Sequence, residues 1–85
     1  MTNVEIYSKS WCGYGARAKA LLDAKGVTYT DVDVTTDREK ELEMIQRSGA
    51  YTVPQIFIDG ERIGGADDLF ALEAKGDLDR LLQRT

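Results

Sequence analysis

Within its first 34 residues the chain reads as a strand, a helix and a second strand, and that order leaves little freedom in how it can fold. Val4-Glu5-Ile6-Tyr7 alternates apolar and polar side chains with the two-residue period of a strand. Ser8 to Trp11 then form a loop that ends on Cys12. Ala16 to Lys25, rich in Ala and Leu, follows as a helix with Ala18, Leu21 and Leu22 on one face and Gly26 as its C-terminal cap. Val27 to Val34 carries the β-branched and aromatic residues of a second strand. Two strands joined through a helix are parallel, with a right-handed crossover.

The remaining elements complete a mixed sheet. Thr36-Asp37-Arg38-Glu39 has the form of a capping box and predicts a second helix running through Leu42 and Ile45 to Gly49. Gln55-Ile56-Phe57-Ile58 reads as a buried strand, joined to Arg62-Ile63 through the tight-turn pair Asp59-Gly60, so these last two strands are antiparallel. Gly64-Gly65 leads into a helix that begins near Asp67, whose acidic residues suit the positive end of the helix dipole, and ends at Gly76. A final helical turn, Asp77 to Leu82, offers Leu78, Leu81 and Leu82 to the core. The expected fold class is α/β: a four-stranded mixed β-sheet flanked by helices, in the order βαβαββα with a helical tail, which is the thioredoxin-type architecture.

Composition narrows the chemistry. The 85 residues are read as a single domain, residues 1–85. Folding at this size removes roughly two-thirds of the extended chain's surface from water, enough for one modest core. One Cys and no His exclude an internal disulfide framework, multi-Cys zinc sites, and any nucleophile or metal site that needs an imidazole. With 11 basic against 15 acidic residues and no basic run longer than two, nucleic-acid phosphate is not an expected partner. The beginning Met1-Thr2-Asn3-Val4-Glu5 has neither a basic start nor an apolar stretch, and no window approaches the ~18 apolar residues of a membrane span. The expectation is a soluble cytoplasmic protein without a membrane partner, and one unpaired cysteine fits a reducing compartment.

Three segments carry candidate chemistry. Cys12 ends a strand-to-helix loop, so the amides of Gly13, Tyr14 and Gly15 point toward its sulfur; free N–H groups and the helix dipole there favour an anion and hence the attacking thiolate. Lys9, three residues earlier, adds a positive charge. The plainer reading is a buried, inert thiol, against which stand the Ser, Trp and Gly neighbours. Thr52-Val53-Pro54 holds the only proline, placed directly before a strand: either a strand-initiating trans residue or a cis bond that leaves the Val53 backbone free to pair with an extended peptide. Gly64-Gly65-Ala66-Asp67-Asp68 reads as a helix start, either simply capped or open to a docking carboxylate. An activated thiol, a peptide-pairing edge and a carboxylate-binding helix start together suit a small, charged, thiol-bearing peptide, and glutathione is the obvious candidate.

The loop Lys9-Ser10-Trp11-Cys12-Gly13-Tyr14, the segment Thr52-Val53-Pro54 and the turn Gly64 to Asp68 resemble the three signature segments of glutaredoxins in order and spacing. The resemblance covers essentially the whole chain and is nearest to the small bacterial members. It implies the thioredoxin fold, a cis Pro54, and Cys12 as the nucleophile that forms a mixed disulfide with glutathione. It also implies that Lys9 meets a glutathione carboxylate, that Tyr14 lines the groove with Thr52 and Pro54, that Val53 pairs with the peptide backbone, and that Gly65, Ala66 and Asp67 receive the γ-glutamyl end. Two positions depart from the pattern. Gly15 stands where dithiol members carry a second cysteine, so no internal active-site disulfide can close and a two-electron dithiol couple is excluded. Glu41 stands where the family offers Arg or Gln to the glycine carboxylate.

The expected function is therefore glutathione-dependent reduction of protein–glutathione mixed disulfides by a monothiol mechanism, with glutathionylated proteins as partners. An alternative is a homodimer in which two Cys12 thiolates and two glutathione thiolates hold a bridging [2Fe–2S] cluster, Cys12 being the metal ligand; Gly13 and Trp11 favour it, while the short loop and the missing Cys-Gly-Phe-Ser motif do not. Without a cluster a monomer is expected. A further alternative is a single-thiol variant of a dithiol glutaredoxin, with Gly15 in place of the second cysteine.

Overall fold

The computed structural model describes residues 2–82. In chain order the elements are β1 (Val4–Ser8), α1 (Gly13–Ala24), β2 (Thr30–Asp33), α2 (Arg38–Ser48), β3 (Gln55–Ile58), β4 (Glu61–Gly64), α3 (Ala66–Lys75) and α4 (Leu78–Leu81). The four strands form one sheet in the order β2-β1-β3-β4. β1 runs parallel to β2, with Ser8 opposite Asp33, and antiparallel to β3, with Tyr7 opposite Gln55. β3 and β4 are antiparallel and joined through Asp59 and Gly60, both at positive φ (52° and 81°), as the Asp-Gly pair predicts.

Strand alternation sorts the core into two layers. Val4 and Ile6 of β1 and Ile56 and Ile58 of β3 face Ala18 and Leu22 of α1, Leu69 of α3, and Leu78 and Leu82 at the C-terminal end. Tyr7 and Phe57 point the other way, where Met44 of α2 and Val34 cover them. Their rings meet edge to face, 5.8 Å between centroids. A polar clamp fastens α2 beside this layer. The Tyr7 hydroxyl donates to Glu43 at 2.5 Å and accepts from Arg47 at 2.7 Å, and Arg47 makes a bidentate pair with Glu5 (3.0 and 3.1 Å) while its guanidinium covers the Phe57 ring.

Most element ends lie within a residue or two of the sequence reading, and three differences have a physical reason. α1 starts at Gly13, not Ala16, because the first-turn amides of a helix have no intrahelical acceptor in any case and glycine there costs little. β2 is four residues long; Val27 and Tyr29 pack against the core but lie outside the ladder, whose register begins at Glu5 opposite Thr30. α2 is capped by Asp37, whose carboxylate accepts from the Lys40 amide at 3.1 Å, so the capping box begun by Thr36 does not form.

Leu69 is fully buried in the larger core layer. Leu69→Ala is expected to lower the free energy of unfolding by about 3 kcal/mol in urea titration; a loss below about 1 kcal/mol would mean that α3 is not packed as described. The clamp predicts a pH dependence. Hydrogen bonding from Tyr7 holds the Glu43 carboxyl below its ordinary value of 4.5, so its contribution is present above that value and is lost as the pH falls through the lower, folded value. The urea midpoint is expected to fall less on acidification in Glu43→Gln than in the parent chain; an equal fall contradicts the clamp.

Candidate active site

β1 ends at Ser8, and a three-residue loop delivers Cys12 to the N-cap of α1 in extended conformation (φ −88°, ψ 110°). The Cys12 amide donates to the Lys9 carbonyl at 3.0 Å and its carbonyl accepts from Ala16 at 3.3 Å. Gly13, Tyr14 and Gly15 thus form the first turn, the end of a helix that favours an anion. The thiol is half-buried, with Sγ 3.6 Å from the Val53 carbonyl to which it donates. It is not a core cysteine.

Val53 lies just before β3, outside the ladder, and the Val53–Pro54 bond is cis. On the far side, Gly64 takes a positive φ of 118°, and a Cβ there would collide with the Asp68 carboxylate. That carboxylate accepts from the Gly65 amide at 3.0 Å and caps α3. Gly65 comes close to the Pro54 carbonyl; a Cβ on it would stand 3.5 Å away. The result is an open groove of about 240 Å³ between residues 52–54 and the start of α3. It brings together Tyr14, Thr52, Val53, Pro54, Gly65, Ala66 and Asp67, with Cys12 joined to it through Val53.

Lys9 is not among the groove-lining residues. Its ammonium is 3.2 Å from Glu41 and 5.5 Å from the centroid of the exposed Trp11 ring. Glu41 also accepts from Arg38 at 2.5 Å, and hydrogen bonds from Arg38 and then Lys9 hold its carboxyl below the ordinary range. Of the charged residues along α2, Arg38, Glu39 and Lys40 are exposed, whereas Glu41 and Glu43 are engaged with Lys9 and Tyr7.

Gln55 and Arg62 also line the groove and are not among the sequence candidates; Asp68, the last residue of the helix-start segment, lines it as well. Gln55 is buried; its amide donates to the carbonyl and hydroxyl of Thr52 (3.0 and 3.2 Å), and its oxygen accepts from Arg62 Nε at 3.1 Å. The available signal was a polar residue opening an otherwise apolar strand, which has to find partners inside. Among the described residues no group of three or more His, Cys, Asp and Glu is placed to hold a metal ion, and no helix is long and apolar enough to cross a membrane.

Comparison with known proteins agrees with this architecture. The sequence matches the glutaredoxin family over residues 4–63. It is 57% identical over 83 residues to glutaredoxin 3 of Escherichia coli strain K12, covering 98% of this chain and 100% of that protein. The structure superposes on a buckwheat glutaredoxin–glutathione complex with a TM-score of 0.88 at 30% identity, covering 96% of this chain and 77% of that one. On the solution structure of glutaredoxin from Brucella melitensis it superposes with a TM-score of 0.84 at 50% identity, covering 96% and 89% of the two chains.

Gly15 is buried on the inner side of the first turn, and a Cβ placed on it would lie 4.0 Å from Cys12 Cβ and 3.2 Å from Ser8 Cβ. The first separation is within the roughly 3.5–4.5 Å that a disulfide spans. Gly15→Cys is therefore expected to close a bridge to Cys12 under mild oxidation, read as loss of both free thiols in a thiol titration of the monomer. Two titratable thiols persisting under those conditions would show that Ser8 does not yield.

Proposed function

Because the chain belongs to the glutaredoxin family, we propose that it is a glutathione-dependent thiol–disulfide oxidoreductase that reduces protein–glutathione mixed disulfides with one thiol, Cys12. The observation that carries this reading is the setting of the chain's only thiol, on the N-cap residue of α1 and 3.6 Å from a backbone carbonyl that borders an open groove. The likeness to a glutathione complex supports the choice of ligand. In this reading Val53 pairs with the peptide backbone, Tyr14, Thr52 and Pro54 wall the groove, and Gly65, Ala66 and Asp67 take the γ-glutamyl end. Lys9 takes the glycine carboxylate.

The chemistry needs no base on the chain. Cys12 thiolate attacks the glutathione sulfur of the mixed disulfide; that S–S bond breaks, and the protein thiolate leaves and takes a proton from water. A second glutathione thiolate then attacks the glutathione sulfur held by Cys12. Glutathione disulfide departs and Cys12 thiolate is restored, its charge stabilised by the first-turn amides of α1. In all, one glutathione thiol is consumed and one protein thiol is released; the glutathione of the mixed disulfide, already at the disulfide level, leaves as half of glutathione disulfide. A reducing compartment such as the cytoplasm supplies the excess glutathione this cycle requires.

A second reading, a homodimer sharing a [2Fe–2S] cluster, has one local observation in its favour. A Cβ at Gly13 would meet nothing within 4 Å, so the cap beside the half-buried Cys12 is open. Cys12 from each subunit and two glutathione thiolates would hold such a cluster, whose chemistry would be electron or cluster transfer. Visible absorbance and a doubled mass after anaerobic reconstitution with glutathione support it; a colourless monomer opposes it.

The oxidoreductase reading is tested by turnover of a glutathionylated peptide in excess glutathione. Release of free peptide is expected with the parent chain and only background release with Cys12→Ser. Equal rates for the two proteins would sink the proposal.

A further inference from the structure

The ammonium assigned above to the glycine carboxylate already faces a carboxylate of its own chain. Lys9 Nζ lies 3.2 Å from Glu41 Oε2, with the two side chains 22% and 18% exposed, and Glu41 Oε1 is 2.5 Å from Arg38 Nη1. Glu41 stays ionised at neutral pH, since Arg38 and Lys9 both hold its carboxyl below the ordinary range. Two cations against one carboxylate leave this corner attractive to an incoming anion. That anion must nevertheless displace Glu41 from Lys9, or share the ammonium with it.

We propose that Glu41 acts as an internal competitor for Lys9, weakening the reading of the ligand's C-terminal carboxylate and letting the site accept γ-glutamyl-cysteinyl thiols whose C-terminal carboxyl is capped as a neutral amide. The inference rests on the function proposed above, in which Lys9 receives that carboxylate. A basic or neutral side chain at position 41 would leave Lys9 free for the ligand. Here the acid end of the peptide gains little over its amide, because each new contact to Lys9 replaces one that exists already. Glu41 touches no reacting atom; it is a specificity-determining residue acting through Lys9.

Binding of two unreactive ligands, S-methylglutathione and its C-terminal amide, distinguishes the possibilities by calorimetric titration. The parent chain is expected to bind acid and amide within about twofold of each other. Glu41→Gln is expected to tighten the acid by about two- to fivefold, the size of one partly exposed ion pair, and to leave the amide unchanged. The same gain in Glu41→Ala separates loss of the carboxylate from any new contact made by glutamine. In a Lys9→Gln background the gain is expected to vanish; a gain that persists there assigns the effect to Arg38 and overturns the role of Lys9. Acid binding that weakens in Glu41→Gln would make Glu41 a positioning residue for Lys9, and equal changes for both ligands would remove the carboxylate from the explanation; either overturns the inference while leaving the oxidoreductase reading intact. Saturable binding of neither ligand to the parent chain, combined with no turnover of glutathionylated peptide, overturns that reading and the inference with it.

Discussion

β1 is the strand on which the other elements depend. It is buried along nearly its whole length, and its two edges carry opposite kinds of ladder: parallel to β2 on one side, antiparallel to β3 on the other. The parallel partner forces the chain to leave the C-terminal end of β1 and cross one face as α1, which fixes Cys12 at that end. The antiparallel partner must begin where β1 finishes. With Tyr7 opposite Gln55, the preceding residues Val53 and Pro54 fall beside the Cys12 loop. The β3–β4 pairing then returns Gly64 opposite Ile56, so α3 also starts at this end. Three loops far apart in sequence meet because of strand register, and the groove is what lies between them.

Much of this was legible in the sequence because it is written in short-range chemistry. Two-residue alternation marks β1, the Asp-Gly pair marks the hairpin, and Gly64-Gly65 before two aspartates marks the start of α3. Propensity failed where position within an element outweighed it. Gly13 and Gly15 are poor helix formers, yet the helix begins on them because the exit from β1 places Cys12 in a capping conformation. Val27 and Tyr29 look like strand residues, but the ladder with β1 begins only at Thr30, and they serve the core from a loop.

At the site, the thiol, the proline segment and the start of α3 were readable as motifs, whereas side-chain pairings across elements were not. Gln55 resembles part of an apolar strand until its contacts to Thr52 and Arg62 are seen. Lys9 reads as a free cation beside the thiol until α2 brings Glu41 against it. Glu41 itself was visible as a departure from the family pattern, but what it pairs with depends on how α2 crosses the sheet.

One thiol and no histidine set the chemistry. Nothing on the chain can take a proton from Cys12 in the manner of an imidazole, and no second thiol can release a bound partner; in the function proposed above, the first-turn amides of α1 face the attacking sulfur and glutathione supplies the other one. The direct measurement is a single-turnover reaction between the reduced protein and a glutathionylated peptide, quenched in acid and resolved by intact mass. The account predicts a Cys12 adduct carrying glutathione, formed as free peptide appears. A Cys12 adduct carrying the peptide, or release of free peptide with no adduct formed on Cys12, would contradict it.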